Sequence, residues 1–247
     1  MIRYKSLVVS LALSCVVSTG CSAEPLSDTT PTLTLPSQNS TGLLGHLSRY
    51  MSTWTGVKDP EAEKELKTWQ GINSEVSAII EIKDFNVREP VLSPTIDNKQ
   101  WLRTNIYGEP DINGCVFFDY RSTALDTPIR MVHGHNMANG TVFGRLPELL
   151  GLQDISGAPL VRLYENGVWS TYKVFSVLSI DATKEAFPID ALITYAEIEA
   201  IAQDLLDRSV VSGGSIESWD ILVLNTCWYG ETGDQRNLHC IVSASRI

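Results

Sequence analysis

Basic residues are scarce in this chain. Its 247 residues include 19 Lys and Arg against 29 Asp and Glu, a formal net charge of −10 at pH 7. No basic block offsets the acids, which excludes binding to a nucleic-acid backbone as the main function. No apolar run reaches the length of about 18 residues that a membrane-spanning helix needs. Five cysteines are too few for a disulfide scaffold. The 43% of apolar residues suffices for the packed core of one domain.

The first 21 residues have the order of an export signal. Arg3 and Lys5 precede a short apolar stretch over residues 7–17, which small residues and Cys21 follow. A positive end before a short apolar stretch is typical of a secretory signal peptide. Residues 17–21 resemble a bacterial lipobox, so we expect a lipid on Cys21 that anchors the chain at the extracellular face of the cell membrane. The alternative is an uncleaved anchor in which Cys21 has no role.

A tether and a helical element are predicted next. Residues 22–41 are rich in Ser, Thr and Pro and poor in large apolar side chains, which predicts a flexible tether. Residues 42–75 are expected to hold two helices. Apolar side chains at a spacing of three to four predict the first over residues 42–54. Asp59 as N-cap and Pro60 at the first helical position begin the second, which continues to Trp69.

Short β-type segments dominate residues 76–247. Eight strands are predicted, over residues 78–82, 87–92, 116–120, 129–133, 160–165, 168–180, 221–226 and 238–244. Asn166-Gly167 between two of them predicts a type I′ hairpin. The uniformly apolar residues 221–224 predict a central strand that is buried on both faces. With one later helix, over residues 193–206, the pattern predicts a mainly β fold, a closed eight-stranded barrel.

Three residues in these segments have the chemistry of a cysteine enzyme. Cys227 follows the buried strand, where a thiol can be held rigidly and still be exposed. His135 follows another strand in a Gly-His-Asn turn, and Arg236 precedes the last strand. Each alone has an ordinary structural explanation, as a core thiol, a turn residue or an edge charge. Their combination in an exported domain favours a cysteine nucleophile.

Metal binding is the other chemical option. His133 and His135 are two residues apart, which places both on one face of a strand. No further cluster of Cys or His supports them, so neither a zinc site nor a cofactor is expected.

The histidine and cysteine segments resemble those of class B sortases. Residues 131–137, Met-Val-His-Gly-His-Asn-Met, resemble the histidine segment of that family, and residues 224–227, Leu-Asn-Thr-Cys, resemble its nucleophile motif. The resemblance extends over residues 76–247 and implies a sortase-type β-barrel. His133 and Val223 depart from the family pattern, which has a tyrosine and a threonine at these positions.

The resemblance implies a cysteine transpeptidase of Gram-positive bacteria. Cys227 would attack a backbone carbonyl in a C-terminal sorting signal of a secreted protein, and an amine of the cell wall or of a pilin would then resolve the thioacyl enzyme. His135 would favour the thiolate and protonate the departing amine. Arg236, at the position of the family's essential arginine, would hold the carbonyl oxygen. Four neighbouring residues are expected to contact the substrate: Asn136, Asn225, Thr226 and Trp228.

A second class of function stays open at this point. A lipoprotein could use a sortase-like barrel to bind extracellular ligands without turnover. The intact set of Cys227, His135 and Arg236 argues against this alternative. Anchoring to the cell wall and polymerisation of pilins are indistinguishable from the sequence.

Overall fold

The fold is taken from a computed structural model, which describes residues 57–124, 129–185, 195–230, 233, 235 and 237–247. The predicted signal segment with Cys21, the tether and the helix over residues 42–54 lie outside the described residues, and so does Arg236. Their organisation therefore stays a prediction. Within the described ranges, no helix is both long enough and apolar enough to cross a membrane.

Eight strands and three α-helices make up the described chain. In chain order they are α1 (Pro60–Ile72), β1 (Val76–Ile82), β2 (Val87–Leu92), β3 (Val116–Phe118), α2 (Tyr120–Ala124), β4 (Ile129–His133), β5 (Leu160–Glu165), β6 (Val168–Asp181), α3 (Tyr195–Asp207), β7 (Ile221–Trp228) and β8 (Leu238–Arg246). The strands form a closed barrel in the order β1-β2-β3-β4-β7-β8-β6-β5. This confirms the predicted mainly β barrel with one helix between late strands. The β2–β3 and β4–β7 pairs are parallel, and the other pairs are antiparallel.

Two local predictions about helix and turn chemistry are confirmed. The Asp59 side chain caps α1 by accepting hydrogen bonds from the backbone N–H groups of Glu61 and Ala62. In the hairpin between β5 and β6, Asn166 and Gly167 have φ angles of 51° and 82°. Two positive φ angles in succession are what a type I′ turn requires.

One predicted strand was too long. The sequence predicts a strand over residues 116–120, but β3 ends at Phe118 and Tyr120 begins α2. Asp119 causes the change of direction, because its carboxylate accepts a hydrogen bond from the backbone N–H of Arg121 at 3.0 Å. Its carbonyl oxygen accepts another from Ser122 at 3.0 Å. Such local bonds favour a helix start over a continued strand.

The side chains of β7 alternate between the inner and the outer face of the barrel, and this decides where polar residues can lie. Leu222 and Leu224 belong to the cluster that fills the barrel interior, while Ile221 and Val223 pack on the outer face with residues of α3. All four are fully buried, as the sequence predicted. Because successive side chains of a strand point to opposite faces, the outer face continues through Asn225 and Cys227. The end of β7 thus presents polar groups just beyond the apolar patch under α3.

Candidate active site

Cys227 lies at the carboxyl end of β7 with its side chain half-buried. Its carbonyl oxygen accepts a hydrogen bond of 2.9 Å from Nδ2 of Asn136, a residue 91 positions earlier in the chain. Burial raises the pKa of the Cys227 thiol. A thiol in this setting needs a nearby proton acceptor or cation before it can react as a thiolate.

Parallel pairing of β4 with β7 brings the histidine segment to the same place. His133 ends β4 opposite Asn225, and the N–H of Gly134 donates to the carbonyl oxygen of Asn225 at 3.1 Å. Position 134 must be glycine, because a Cβ atom there would lie 2.6 Å from the ring of Phe143. The turn that carries His135 therefore packs tightly against the end of β7 that carries Cys227.

The His135 ring is held by the connection between β2 and β3. Its Nε2 lies 2.7 Å from the carbonyl oxygen of Leu102. A carbonyl oxygen only accepts, so Nε2 carries a proton, and Nδ1 is the position where a neutral ring would accept one. Among the described residues, no hydrogen bond joins His135 to Sγ of Cys227.

The two remaining thiols of the barrel are used differently. Sγ of Cys115 donates to the carbonyl oxygen of Thr104 at 3.3 Å, and Sγ of Cys240 donates to that of Leu146 at 3.7 Å. Burial raises the pKa of Cys240 to about 12, and burial with nearby acidic groups raises the pKa of Cys115 to about 12. Neither thiol has the character of a nucleophile.

A chain of polar side chains beneath the site was not expected from the sequence. Asp119 accepts a hydrogen bond of 2.9 Å from Nε2 of His133, whose Nδ1 accepts one of 2.9 Å from the amide of Asn225. The Oδ1 atom of Asn225 in turn lies 2.9 Å from Nδ1 of His239, in β8. The signal that could have indicated the chain is the presence of polar residues at outward positions of strands that are otherwise apolar.

Asp119 is the charged end of this chain. It is fully buried, and it accepts hydrogen bonds from Arg121 at 2.8 and 2.9 Å and from Asn98 at 2.8 Å. Burial raises the pKa of the carboxyl, but the bonds from Arg121 and His133 outweigh it and hold the pKa well below its usual range. Asp119 is therefore an ionised carboxylate at neutral pH.

The four predicted substrate contacts differ in exposure. The Thr226 side chain is 2% exposed and points away from the Cys227 face. Trp228, on the same side of β7 as Thr226, is partly buried against the interior cluster. The Asn136 and Asn225 amides hold the nucleophile and the two histidines respectively. Contact of these residues with a substrate stays a prediction, as does the role of Arg236.

Comparison with known proteins identifies the family. A family model for the sortase domain matches residues 80–247, more than half of the chain. Sortase B of Clostridium perfringens is 26% identical, with a TM-score of 0.64, over 73% of this chain and 98% of that one. Sortase B of Bacillus anthracis in complex with AAEK2 is 22% identical, with a TM-score of 0.65, over 77% of this chain and 86% of that one. A Staphylococcus aureus sortase B–substrate complex is 18% identical, with a TM-score of 0.64, over 83% of this chain and 93% of that one. The sequence matched no curated protein significantly. The chain belongs to the sortase family, and it is a class B sortase, a transpeptidase by family.

Proposed function

We propose that this sortase cleaves a C-terminal sorting signal of secreted proteins through Cys227 and transfers the new carboxyl end to an amine. The observation that carries the proposal is the hydrogen bond from Asn136 to the Cys227 carbonyl. This bond connects the strand end that carries Cys227 with the turn that holds His135. The two bonded residues are 91 positions apart in the sequence. The residues of a nucleophile and an acid–base group are thus held by one contact, as covalent catalysis needs.

The first half of the reaction makes a thioester. The Cys227 sulfur, as thiolate, adds to the carbonyl carbon of the scissile peptide bond, and the carbonyl oxygen becomes an oxyanion. Collapse of this intermediate breaks the C–N bond, and the departing amine takes a proton from His135. Arg236 supports the oxyanion, because a guanidinium keeps its charge and presents several donors.

The second half consumes the thioester. An incoming amine adds to the same carbonyl carbon and gives up a proton to His135, and the sulfur leaves. The product is a new amide bond and free Cys227. An amine of the cell wall or of a pilin subunit is the acceptor that fits an exported transpeptidase. The S. aureus sortase B–substrate complex supports the binding of a substrate by this chain as well.

A panel of sorting-signal peptides and amines tests this proposal with the full chain. Wild type is expected to convert a subset of the peptides to amine-linked products that mass spectrometry identifies, and Cys227→Ala is expected to form none. The matched control is Cys115→Ala, which removes another half-buried thiol and should keep the activity. If wild type binds peptides without cleaving any, the protein is the ligand-binding lipoprotein instead.

We further propose that Cys21 anchors this enzyme at the extracellular face of the membrane. The order of signal segment, cysteine and Ser/Thr/Pro-rich tether supports the proposal. Metabolic labelling with a fatty acid should tag wild type and leave Cys21→Ser untagged. Unchanged labelling and membrane retention of Cys21→Ser would instead indicate an uncleaved anchor over residues 7–17.

A further inference from the structure

His239 lies beside Cys227 without a role in the reaction described so far. The two residues are directly paired across the antiparallel β7–β8 ladder. Side chains at directly opposite positions share a face of the sheet, with Cβ atoms about 4.5–5.5 Å apart. His239 is half-buried on this outer face, next to the half-buried thiol.

The hydrogen bonds of Asn225 determine where the protons of both histidines lie. An amide nitrogen donates, so Nδ1 of His133 is an acceptor, and the ring proton of His133 is on Nε2, which donates to Asp119. An amide oxygen accepts, so Nδ1 of His239 carries a proton. The Nε2 atom of His239 then holds a lone pair when the ring is neutral. No described residue forms a hydrogen bond to this atom.

We propose that His239 is a second imidazole of the active site, which takes the proton of the Cys227 thiol on Nε2, and that Asn225 positions it. This inference rests on the proposed function. In the step, the S–H bond breaks and an N–H bond forms at Nε2, which gives a thiolate beside an imidazolium. When the incoming amine displaces the sulfur, the proton returns from Nε2 to sulfur. His135 is then left to serve the two amines, so each imidazole moves one kind of proton.

The surroundings of His239 favour its neutral form, which is the form that can accept a proton. Burial and the neighbouring His133 lower the pKa of His239. Asp119, held by Arg121, lies at the far end of the chain and contacts His133 rather than His239. On the β6 side the cross-strand partner of His239 is Ile180, which is apolar.

The next charged group on β6 is already neutralised. Asp181 follows Ile180 and is paired with Lys184 at 2.9 Å. On β7, the titratable group beside His239 is Cys227 itself. The thiol is therefore the proton donor that the described surroundings offer to Nε2.

A substitution can separate this role from a structural one. In His239→Asn, the side-chain nitrogen of asparagine replaces Nδ1 and can still donate to Asn225, but no base is left at the position of Nε2. If His239 were merely structural, Cys227 would react normally in this variant as long as the chain of hydrogen bonds survives. If His239 is a base, the reactivity of Cys227 falls because its proton acceptor is gone.

The test follows alkylation of Cys227 by iodoacetamide against pH, in the full chain, with peptide mass spectrometry to read each thiol separately. We expect His239→Asn to move the midpoint of the profile up by about one pH unit and to slow alkylation at pH 7 about tenfold. Cys115 and Cys240 in the same molecules are internal controls, and their alkylation should not change. An unchanged Cys227 profile in folded His239→Asn would overturn the proposal.

Asn225→Asp gives a second, opposite test. A carboxylate between the two rings would stabilise an imidazolium at His239, so the Cys227 midpoint should fall by about one pH unit. A midpoint that stays in place or rises would contradict the proposal even if His239→Asn failed to fold. Failure of the proposed function looks different, because wild type would then form no amine-linked product although its alkylation profile depends on His239.

Discussion

The parallel strands β4 and β7 hold polar groups differently where the pair starts and where it ends. At the start of β4, Arg130 donates to both carboxylate oxygens of Glu165 at 2.7 and 2.8 Å and to the hydroxyl of Tyr172 at 2.8 Å. Asp220, just before β7, lies between Arg130 at 3.6 Å and Arg246 at 3.5 Å. At the other end, His133, Asn225 and His239 form a chain of hydrogen bonds that ends beside the Cys227 thiol.

This difference separates stability from reactivity. Burial lowers the pKa of Arg130, but Tyr172 and the carboxylates outweigh it and hold the pKa above its usual range. Burial also raises the pKa of Tyr172. Arg130 and Tyr172 thus keep one protonation state through the physiological range, and the ion pairs fix the barrel there. The end with Cys227 holds imidazoles, the side chains that enzymes use most often for proton transfer.

After Cys227 itself, the largest expected effect comes from His135 at the reactive end. His135→Ala should slow transfer of a peptide to an amine by about 10²–10⁴, because positioned proton transfer to the departing amine is lost. Transfer kinetics on protein with an unchanged melting temperature measure the effect. A rate within a few-fold of wild type would show that another group protonates the leaving amine.

Arg236 is expected to be the next most sensitive position. Arg236→Lys should slow transfer by about 10²–10³, since a point charge does not reproduce the planar set of donors that supports an oxyanion. Arg145→Lys is the control, because that guanidinium pairs with Glu148. Equal rates for the two variants would remove Arg236 from the mechanism.

The opposite end of the barrel should respond in stability rather than in rate. Arg130→Met leaves Glu165 without its buried cation and Asp220 with Arg246 alone, and we expect the free energy of unfolding to fall by about 3 kcal/mol. Urea denaturation measures it, and transfer per folded molecule should be unchanged. Arg208→Met, which breaks an exposed pair with Glu185, should cost less than about 1 kcal/mol. If both variants lost a similar free energy of unfolding, the buried ion pairs at the start of β4 would not be what stabilises that end of the barrel.

The smallest effect is expected at the contact between the two catalytic segments. Asn136→Ala removes the hydrogen bond to the Cys227 carbonyl, and transfer should slow about tenfold, the value of one such bond. Asn139→Ala is the matched control, since among the described residues that side chain binds only Thr141, in its own turn. The idea fails if both variants are equally fast.

Local chemistry made much of the barrel predictable. The strands over residues 87–92, 129–133 and 160–165 begin and end where the sequence predicts, because apolar runs and turn residues mark their limits. Cys227 and His135 were found from their places just after such runs. Asp119 was predicted as part of a strand, because its capping bond to Arg121 is not visible in the apolar pattern.

The polar chain could not be predicted, because it depends on register. His133 and Asn225 are 92 positions apart in the chain and meet only through the parallel pairing of β4 with β7. His239 joins them through the separate pairing of β7 with β8. A shift of either pair by one residue would turn these side chains to the other face. The sequence contains the residues but not the alignment that makes them neighbours.

The most direct measurement of the central claim is the intact mass of the enzyme incubated with a cleavable sorting-signal peptide and no amine acceptor. We predict a covalent adduct whose mass equals the N-terminal peptide fragment minus water, located at Cys227 by fragmentation and released when an amine is added. Absence of the adduct from folded wild type that still cleaves the peptide, or an adduct located at Cys115 or Cys240, would contradict the account.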